Sequence, residues 1–314
     1  NECLATQSII SKTYFSNEKM CMNDGKYFCV RAMPDFDENG NVIGVIKTFD
    51  DITEKVDEEK KIKKIAYLDD LTKLHNRNAL YKIIDDKIEN NCNDWALAII
   101  DIDDFRNIND KSGHEFGDQF LKAFAEKLSK QIGDKGIVGR LGGDEFLIVL
   151  DGDRKEVEDT VKSLYKKLEE PIEFDWNNVF VTCSMGIALY PENASNRSNL
   201  LKYADLALYQ SKKSGKKIYS FYSEEIRISF IRKQVIIETL RKAIRDNNCV
   251  EIYYQPIVDI KTGRIKKIEA LSRLESESLK DISISEFINT AEETGLIIEL
   301  GDIIFEKVHK DINE

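Results

Sequence analysis

Apolar and polar positions alternate with a period near two over residues 26–33 and again over 42–49. Between them lies Pro34-Asp35-Phe36-Asp37-Glu38-Asn39-Gly40-Asn41. An Asn-Gly step between two alternating runs predicts a β-hairpin. Residues 54–65 are then highly charged, with Val56, Ile62 and Ile65 as their only apolar side chains. That narrow stripe predicts a short helix, which fits either a solvated linker or a two-stranded coiled coil, because sustained heptads are lacking. From residue 66 to 222 the hydrophobic period switches repeatedly. Helices are predicted over 78–90, 117–131, 155–169 and 199–214, and strands over 95–102, 137–141, 146–150 and 179–189. Such alternation predicts an α+β fold around a mixed or mostly antiparallel sheet. A second charged helix over 224–246 carries Ile226, Phe230, Val235, Leu240 and Ile244 as a packing stripe. Strands over 251–260 and 264–271 around Lys261-Thr262-Gly263, a helix over 285–294 and an amphipathic segment over 305–314 complete the pattern.

Composition narrows the function. Of 314 residues, 46 are Lys or Arg and 57 are Asp or Glu, a net charge of −11. A nucleic-acid partner is not expected, since duplex binders carry a basic face. A site for an anionic ligand must instead be a local cluster of cations. The length corresponds to roughly two domains at ~150 residues each. The six cysteines form no C-x-x-C pair, which favours neither zinc nor a disulfide framework and makes a reducing cytoplasm the simpler location. The longest apolar runs, over 95–100 and 146–150, fall far short of the ~20 residues that span a bilayer, so no membrane segment is expected here. The chain begins at Asn1 and stops within an amphipathic segment. It reads as a fragment cut at both ends, with room upstream for a membrane tether or sensor.

Two elements carry chemistry. In Ile99-Ile100-Asp101-Ile102-Asp103-Asp104-Phe105 an apolar strand ends in carboxylates, and in Arg140-Leu141-Gly142-Gly143-Asp144-Glu145-Phe146 a hairpin tip holds paired glycines and paired carboxylates. Each pattern alone is commonly a surface feature or a turn. If both strand ends meet at one sheet edge, Asp101 and Asp144 converge, and converging carboxylates repel unless a cation lies between them. Hard oxygen ligands favour Mg²⁺ or Mn²⁺, which in turn bind nucleotide phosphates.

Asp69-Asp70-Leu71-Thr72-Lys73-Leu74-His75-Asn76-Arg77, the run from Asp101 to Asp110 with Gly113-His114 and Gly117-Asp118, the Gly142-Gly143-Asp144-Glu145-Phe146 hairpin, Val181-Thr182-Cys183-Ser184-Met185-Gly186-Ile187-Ala188, and Ala204-Asp205-Leu206-Ala207-Leu208-Tyr209 with Lys212 together resemble the GGDEF family of diguanylate cyclases. The resemblance implies a fold like nucleotide cyclases and polymerase palms. It also implies condensation of two GTP into cyclic di-GMP with release of pyrophosphate. By the same resemblance Asp101, the Ile102 carbonyl and Asp144 hold the metal, and Glu145 assists them. Asn109 and Asp118 recognise guanine, Lys212 and Lys216 contact the triphosphate beside Gly142 and Gly143, and Arg106 helps stabilise the transition state. One GTP per domain implies a working homodimer, controlled by the 54–65 helix and read by downstream cyclic di-GMP receptors. Three positions depart from the family pattern. Lys73 replaces a glycine, Lys216 replaces an arginine and so lacks its planar fork, and Gly133 and Gly136 occupy the places of the inhibitory R-x-x-D. Weakened activity and no product inhibition through that site are expected. His75, His114 and Cys183 read as structural.

The opening hairpin, its Asp51-Ile52-Thr53 and the charged helix resemble the C-terminal half of a PAS sensor domain. Tyr253-Tyr254-Gln255-Pro256-Ile257-Val258-Asp259, Thr262-Gly263-Arg264, Glu269-Ala270-Leu271-Ser272-Arg273-Leu274, Glu286-Phe287-Ile288 and Ala291-Glu292-Glu293-Thr294-Gly295-Leu296 resemble the start of an EAL cyclic di-GMP phosphodiesterase. This implies a metal ligand at Glu269 and substrate contacts at Gln255 and Arg273. Too few residues follow to close the (β/α)₈ barrel, which takes roughly 250, so phosphodiesterase turnover is not expected of this fragment. The expected organisation is a partial PAS domain over 1–53, a linker helix over 54–68, a GGDEF domain over 69–222, a second linker helix over 223–246 and a partial EAL domain over 247–314. Besides an active cyclase, the sequence fits a GTP-binding regulator whose parent is mainly a phosphodiesterase. A purely structural dimerisation and sensing module fits less well, because the site residues are intact.

Overall fold

The computed structural model describes residues 4–21, 25–92, 94–174, 177–246, 250–274 and 282–313. At the N-terminus, α1 (Leu4–Ser11) packs on an antiparallel sheet of β1 (Phe15–Cys21), β2 (Tyr27–Phe36) and β3 (Val42–Asp51). The hairpin expected from the Asn-Gly signal is β2–β3. Its turn closes because the Asp37 carboxylate accepts from the backbone N–H groups of Asn39 and Asn41 at 2.9 and 2.7 Å, while Gly40 supplies a φ of +80°. Neither α1 nor β1 was expected. An eight-residue helix is too short to display a period, and its buried anchor is a serine, Ser8, whose hydroxyl donates to the Thr13 carbonyl at 2.8 Å. The Asp51-Ile52-Thr53 step starts α2 (Thr53–Tyr67): Asp51 accepts from the Thr53 N–H, and the Thr53 hydroxyl accepts from the Tyr27 N–H, both at 2.9 Å.

The central unit follows as α3 (Arg77–Glu89), β4 (Trp95–Ile102), α4 (Phe105–Ser112), α5 (His114–Ile132), β5 (Gly136–Gly142), β6 (Glu145–Asp151), α6 (Arg154–Leu168), β7 (Ile172–Phe174), β8 (Asn177–Val179), β9 (Cys183–Tyr190), α7 (Arg197–Lys213) and β10 (Tyr219–Phe221). Five strands form one sheet in the order β10-β9-β4-β6-β5, antiparallel throughout except for β10, which pairs parallel to β9. The fold is therefore α+β with a mostly antiparallel, mixed central sheet. Strand β4 lies in its middle with every residue buried. This explains why its sequence is a continuous apolar run and not an alternating one. Ala96, Ala98, Ile100 and Ile102 face a core with Phe120, Phe124, Val157 and Val161 of α5 and α6. Trp95, Leu97 and Ile99 face Leu80, Ile84, Leu200 and Leu208 of α3 and α7 on the other side. Burying each large apolar side chain contributes about 1.5–3 kcal/mol, and together they fix which strand ends meet at the edge.

Glycine at 186 lets α7 sit directly on the sheet. A Cβ there would lie 2.0 Å from the Leu208 nitrogen and 2.1 Å from the Ala204 carbonyl oxygen. The strand expected over 179–189 is divided: Val179 ends β8 and β9 starts at Cys183, while between them the Thr182 carbonyl accepts from the Asp103 N–H and its hydroxyl donates to the Asp103 carboxylate. The polar α4, whose single buried residue is Phe105, and the three-residue β10 carry too little periodicity to have been anticipated.

Helix α8 (Glu224–Asp246) leads to β11 (Val250–Val258), β12 (Ile265–Leu274), α9 (Ile284–Thr294) and α10 (Ile297–Asn313). Its first turns place Ile226 and Phe230 against the α3/α7 core, while Ile236, Leu240 and Ala243 bury against Phe287, Ala291 and Leu300. One continuous helix thus belongs to two cores. Strands β11 and β12 form a two-stranded antiparallel sheet, and the described residues form no closed barrel. None of their helices is long and apolar enough to cross a membrane.

Candidate functional site

The carboxylate-bearing ends of β4 and β6 meet at one edge of the sheet. Asp101 stands opposite Glu145 on one side and opposite Ser184 of β9 on the other. The Ile102 N–H donates to the Asp144 carbonyl at 3.4 Å. At the hairpin tip Gly142 and Gly143 have φ of +143° and +55°, conformations open to glycine and strained for other residues. The tip is held from behind by Arg140, whose Nε and Nη2 donate to the Gly143 carbonyl at 3.0 and 2.8 Å and whose Nη1 donates to Asp69 Oδ1 at 3.1 Å. Asp69 also accepts from the Thr72 N–H and hydroxyl at 2.8 and 2.7 Å. Burial pushes the Asp69 carboxyl up, but the Thr72 and Arg140 hydrogen bonds outweigh it and hold the group below the ordinary carboxylate range. The Asp69-to-Arg77 motif therefore braces the hairpin. Its sequence identified the motif without assigning that role to Asp69, Thr72 or Arg140.

Asp101 is 8% exposed. Burial raises its carboxyl above the ordinary range, Lys212 opposes the rise, and Asp144 and Asp103 add to it. Glu145 is also raised, by burial first and then by Asp101, Asp144 and Asp205. The Lys212 Nζ lies 2.7 Å from Asp101 Oδ2 and stands in for the cation that such a cluster requires. Among the described residues no three His, Cys, Asp or Glu side chains group as a metal cage. An ion here would rest on Asp101, Asp144 and the Ile102 carbonyl, all oxygen donors. The oxygen donor set and the stand-in ammonium both fit a hard divalent cation.

Asn109 and Asp118 come from successive helices. Gly113, with φ of +87°, breaks the chain between α4 and α5. Gly117 is so close to the Asn109 amide that a Cβ there would lie 1.9 Å from its Oδ1. The half-buried Asn109 amide is thus seated against the residue that precedes the exposed Asp118. Arg106 does not join the carboxylate cluster. Its side chain is 92% exposed and lies 3.7 Å from Asp110. Lys216 donates to Asp104 Oδ1 at 2.8 Å, which holds its ammonium above the ordinary lysine range. Asp103 turns inward from the same run and accepts from the Thr182 and Ser184 hydroxyls at 2.7 Å each.

Of the remaining candidates, Gln255 and Glu269 stand directly opposite in the β11–β12 ladder, and Arg273, opposite Glu251, lies on the same face four pairs along. His114 opens α5, and His75 joins Leu68 and Gly139 through backbone bridges. Cys183 is buried, and burial followed by Asp103 pushes its thiol up to about 12.

The family model described as "Diguanylate cyclase, GGDEF domain" matches residues 66–217, and the EAL domain model matches residues 237–314. NbdA of Pseudomonas aeruginosa, named a cyclic di-GMP phosphodiesterase, is 33% identical over 80% of this chain and 32% of its own length. MucR of the same organism, named a bifunctional diguanylate cyclase/cyclic di-GMP phosphodiesterase, is 30% identical over 79% of this chain and 37% of its own. The chain thus spans about a third of the length of these curated relatives. Among solved structures, the GGDEF domain of TpbB (YfiN) from Pseudomonas aeruginosa is 30% identical, covering 52% of this chain and 99% of that one with a TM-score of 0.48. Matched by both domain models in chain order, the chain belongs to the GGDEF–EAL proteins, with a GGDEF domain followed by a short EAL region.

Proposed function

We propose that residues 69–222 are a diguanylate cyclase domain that condenses two GTP into cyclic di-GMP and two pyrophosphates. The observation that carries this reading is the meeting of Asp101, Asp144 and Glu145 at one sheet edge with the Lys212 ammonium 2.7 Å from Asp101. The Asn109 amide and the Asp118 carboxylate together offer the donors and acceptors that the guanine edge needs. Lys212 and Lys216 neutralise the triphosphate beside Gly142 and Gly143, and the exposed Arg106 leaves its pairing with Asp110 to meet transition-state charge. A divalent cation, Mg²⁺ or Mn²⁺, held by Asp101, Asp144 and the Ile102 carbonyl would supply charge neutralisation at the α-phosphate and the leaving pyrophosphate. Each 3′-oxygen forms a bond to the α-phosphorus of the other GTP as that phosphorus loses its bond to pyrophosphate and the 3′-hydroxyl gives its proton to solvent water.

One such site holds one GTP, so two copies face each other during turnover, and α2 is the device that brings them together. The reading assigns residues 1–53 to part of a PAS input domain and 54–68 and 223–246 to linker helices. Residues 247–314 then belong to the EAL region, with Gln255, Glu269 and Arg273 at its start. GTP as substrate and the scattered cysteines favour the cytoplasm, with cyclic di-GMP receptors downstream.

A second reading rests on Lys216 and on the naming of NbdA as a phosphodiesterase. In it the domain binds GTP without turning it over and tunes the phosphodiesterase of a longer parent. Incubating the chain with GTP and Mg²⁺ and measuring pyrophosphate and cyclic di-GMP separates the two. Product formation that Asp144→Ala abolishes supports the cyclase. GTP binding without product supports the regulator.

A further inference from the structure

The run that ends β4 offers three carboxylates, and the proposed reaction uses only Asp101. Its neighbours divide between two tasks. Asp103 is buried and takes hydroxyl donors from Thr182 and Ser184 at 2.7 Å each and the Lys217 N–H at 3.2 Å. It clamps the backbone of the turn that follows α7. Asp104, next in sequence, holds the side chain of the preceding turn residue, Lys216, at 2.8 Å.

Three features mark the second contact as exchangeable. Asp104 occupies the N-cap position of α4, where an aspartate ordinarily accepts from the helix amides. It sits instead at φ 57°, ψ 27° and makes no side-chain capping bond. Lys216 and Lys217 are likewise left-handed, at φ 62° and 53°, and the Lys216 N–H bonds the Ser211 carbonyl at 3.2 Å. The backbone that presents the ammonium is therefore set independently of Asp104. The pair itself is open to water, with side chains 42% and 59% exposed. Exposed pairs are weak and screened, whereas a triphosphate concentrates several charges.

We propose that Asp104 is a latch on the nucleotide site: it parks Lys216 while the site is empty and yields it to the triphosphate. Asp104 is thus a positioning residue that lowers GTP affinity through Lys216. The proposal rests on the GTP-site reading above.

The test is a double-mutant cycle on the full chain with wild type, Asp104→Asn, Lys216→Gln and the double variant. Asparagine tolerates the left-handed region best among residues with a side chain, so Asp104→Asn keeps the backbone. Binding of GTP and of inorganic tripolyphosphate is measured by calorimetry with Mg²⁺ at fixed ionic strength. The latch requires Asp104→Asn to tighten both ligands by about two- to fivefold, the range open to an exposed ion pair. It also requires that gain to vanish in the Lys216→Gln background. Equal tightening in both backgrounds would mean simple removal of a negative charge and would overturn the latch with the GTP reading intact. Weaker binding of Asp104→Asn overturns it as well. If none of the four proteins binds GTP, the GTP reading falls and the latch falls with it.

Discussion

Asp101 and Glu145 stand directly opposite one another across the β4–β6 ladder, and Asp144 precedes Glu145 at the hairpin tip. Like charges opposed on a sheet destabilise it, and burial raises both carboxyls further. The fold tolerates this arrangement at the place where the proposed reaction puts a divalent cation and a nucleotide.

Removing one member of the cluster is therefore expected to separate activity from stability. Asp144→Ala should reduce cyclic di-GMP formation by more than about 100-fold, since charge neutralisation in phosphoryl transfer supplies several kcal/mol. Its urea midpoint should stay level or rise, because relief of repulsion offsets any lost contact. Product quantification and urea titration of the same preparation check both halves. A midpoint lowered together with activity would assign Asp144 to the fold.

Gly117 supports a sharper separation. Alanine is the better helix former by about 1 kcal/mol, so Gly117→Ala should not weaken α5 on propensity grounds. The new Cβ, however, would lie 1.9 Å from Asn109 Oδ1, and the amide must move. The expected outcome is about a tenfold or greater loss of affinity for GTP, since a site built to hydrogen-bond its ligand suffers when a partner is withdrawn. Affinity for inorganic tripolyphosphate should be unchanged. Parallel calorimetric titrations with the two ligands give the comparison, and equal losses for both would remove Asn109 from guanine recognition.

The parts of this site differed in how far the sequence could reveal them. Strand β4 was legible because a run buried on both faces has to be apolar, and Asp101 stood out as a charge at its end. Asp144 was legible because two glycines and two carboxylates at a hairpin tip are an unusual expenditure of turn residues. Asp103 was not. Strand alternation sets residues 101 and 103 on one side, yet the strand ends at Ile102, and Asp103 turns inward to Thr182 and Ser184. The pairings of Lys212 with Asp101 and of Lys216 with Asp104 were equally hidden. They depend on where α7 comes to rest, which is a property of packing. Helix α4 escaped notice because only Phe105 anchors it, although it carries Asn109.

The brace behind the hairpin gives a pH dependence with a definite sign. Asp69 has a folded-state pKa below its unfolded value near ~3.9, because the Thr72 and Arg140 hydrogen bonds outweigh burial. A depressed carboxyl contributes stability that is fully present above the unfolded pKa and is lost as pH falls through the folded one. Wild type should therefore lose more stability than Asp69→Asn between pH 5 and the most acid pH at which both still fold. Urea midpoints at several pH values over that range make the comparison. Parallel curves for the two proteins would mean that the Asp69 carboxylate gains no net stabilisation from Thr72 and Arg140.

Gly186 connects the core to the chemistry most directly. Its missing side chain lets α7 rest on β9, and α7 carries Lys212 in its last turn. Gly186→Ala would bring a Cβ to 2.0 Å from the Leu208 nitrogen and 2.1 Å from the Ala204 carbonyl. Both are helix backbone atoms, so relief requires the helix to shift as a body. Overpacking of this kind costs about 1–3 kcal/mol, which a lowered urea midpoint should show. The displacement should also carry the Lys212 ammonium away from Asp101, so GTP affinity should fall in the molecules that remain folded. Lys212→Ala supplies the reference for that loss. If Gly186→Ala lowers stability while binding GTP as tightly as wild type, the α7 backbone would be shown to adjust locally, and the seat at Gly186 would serve the core without setting the position of Lys212.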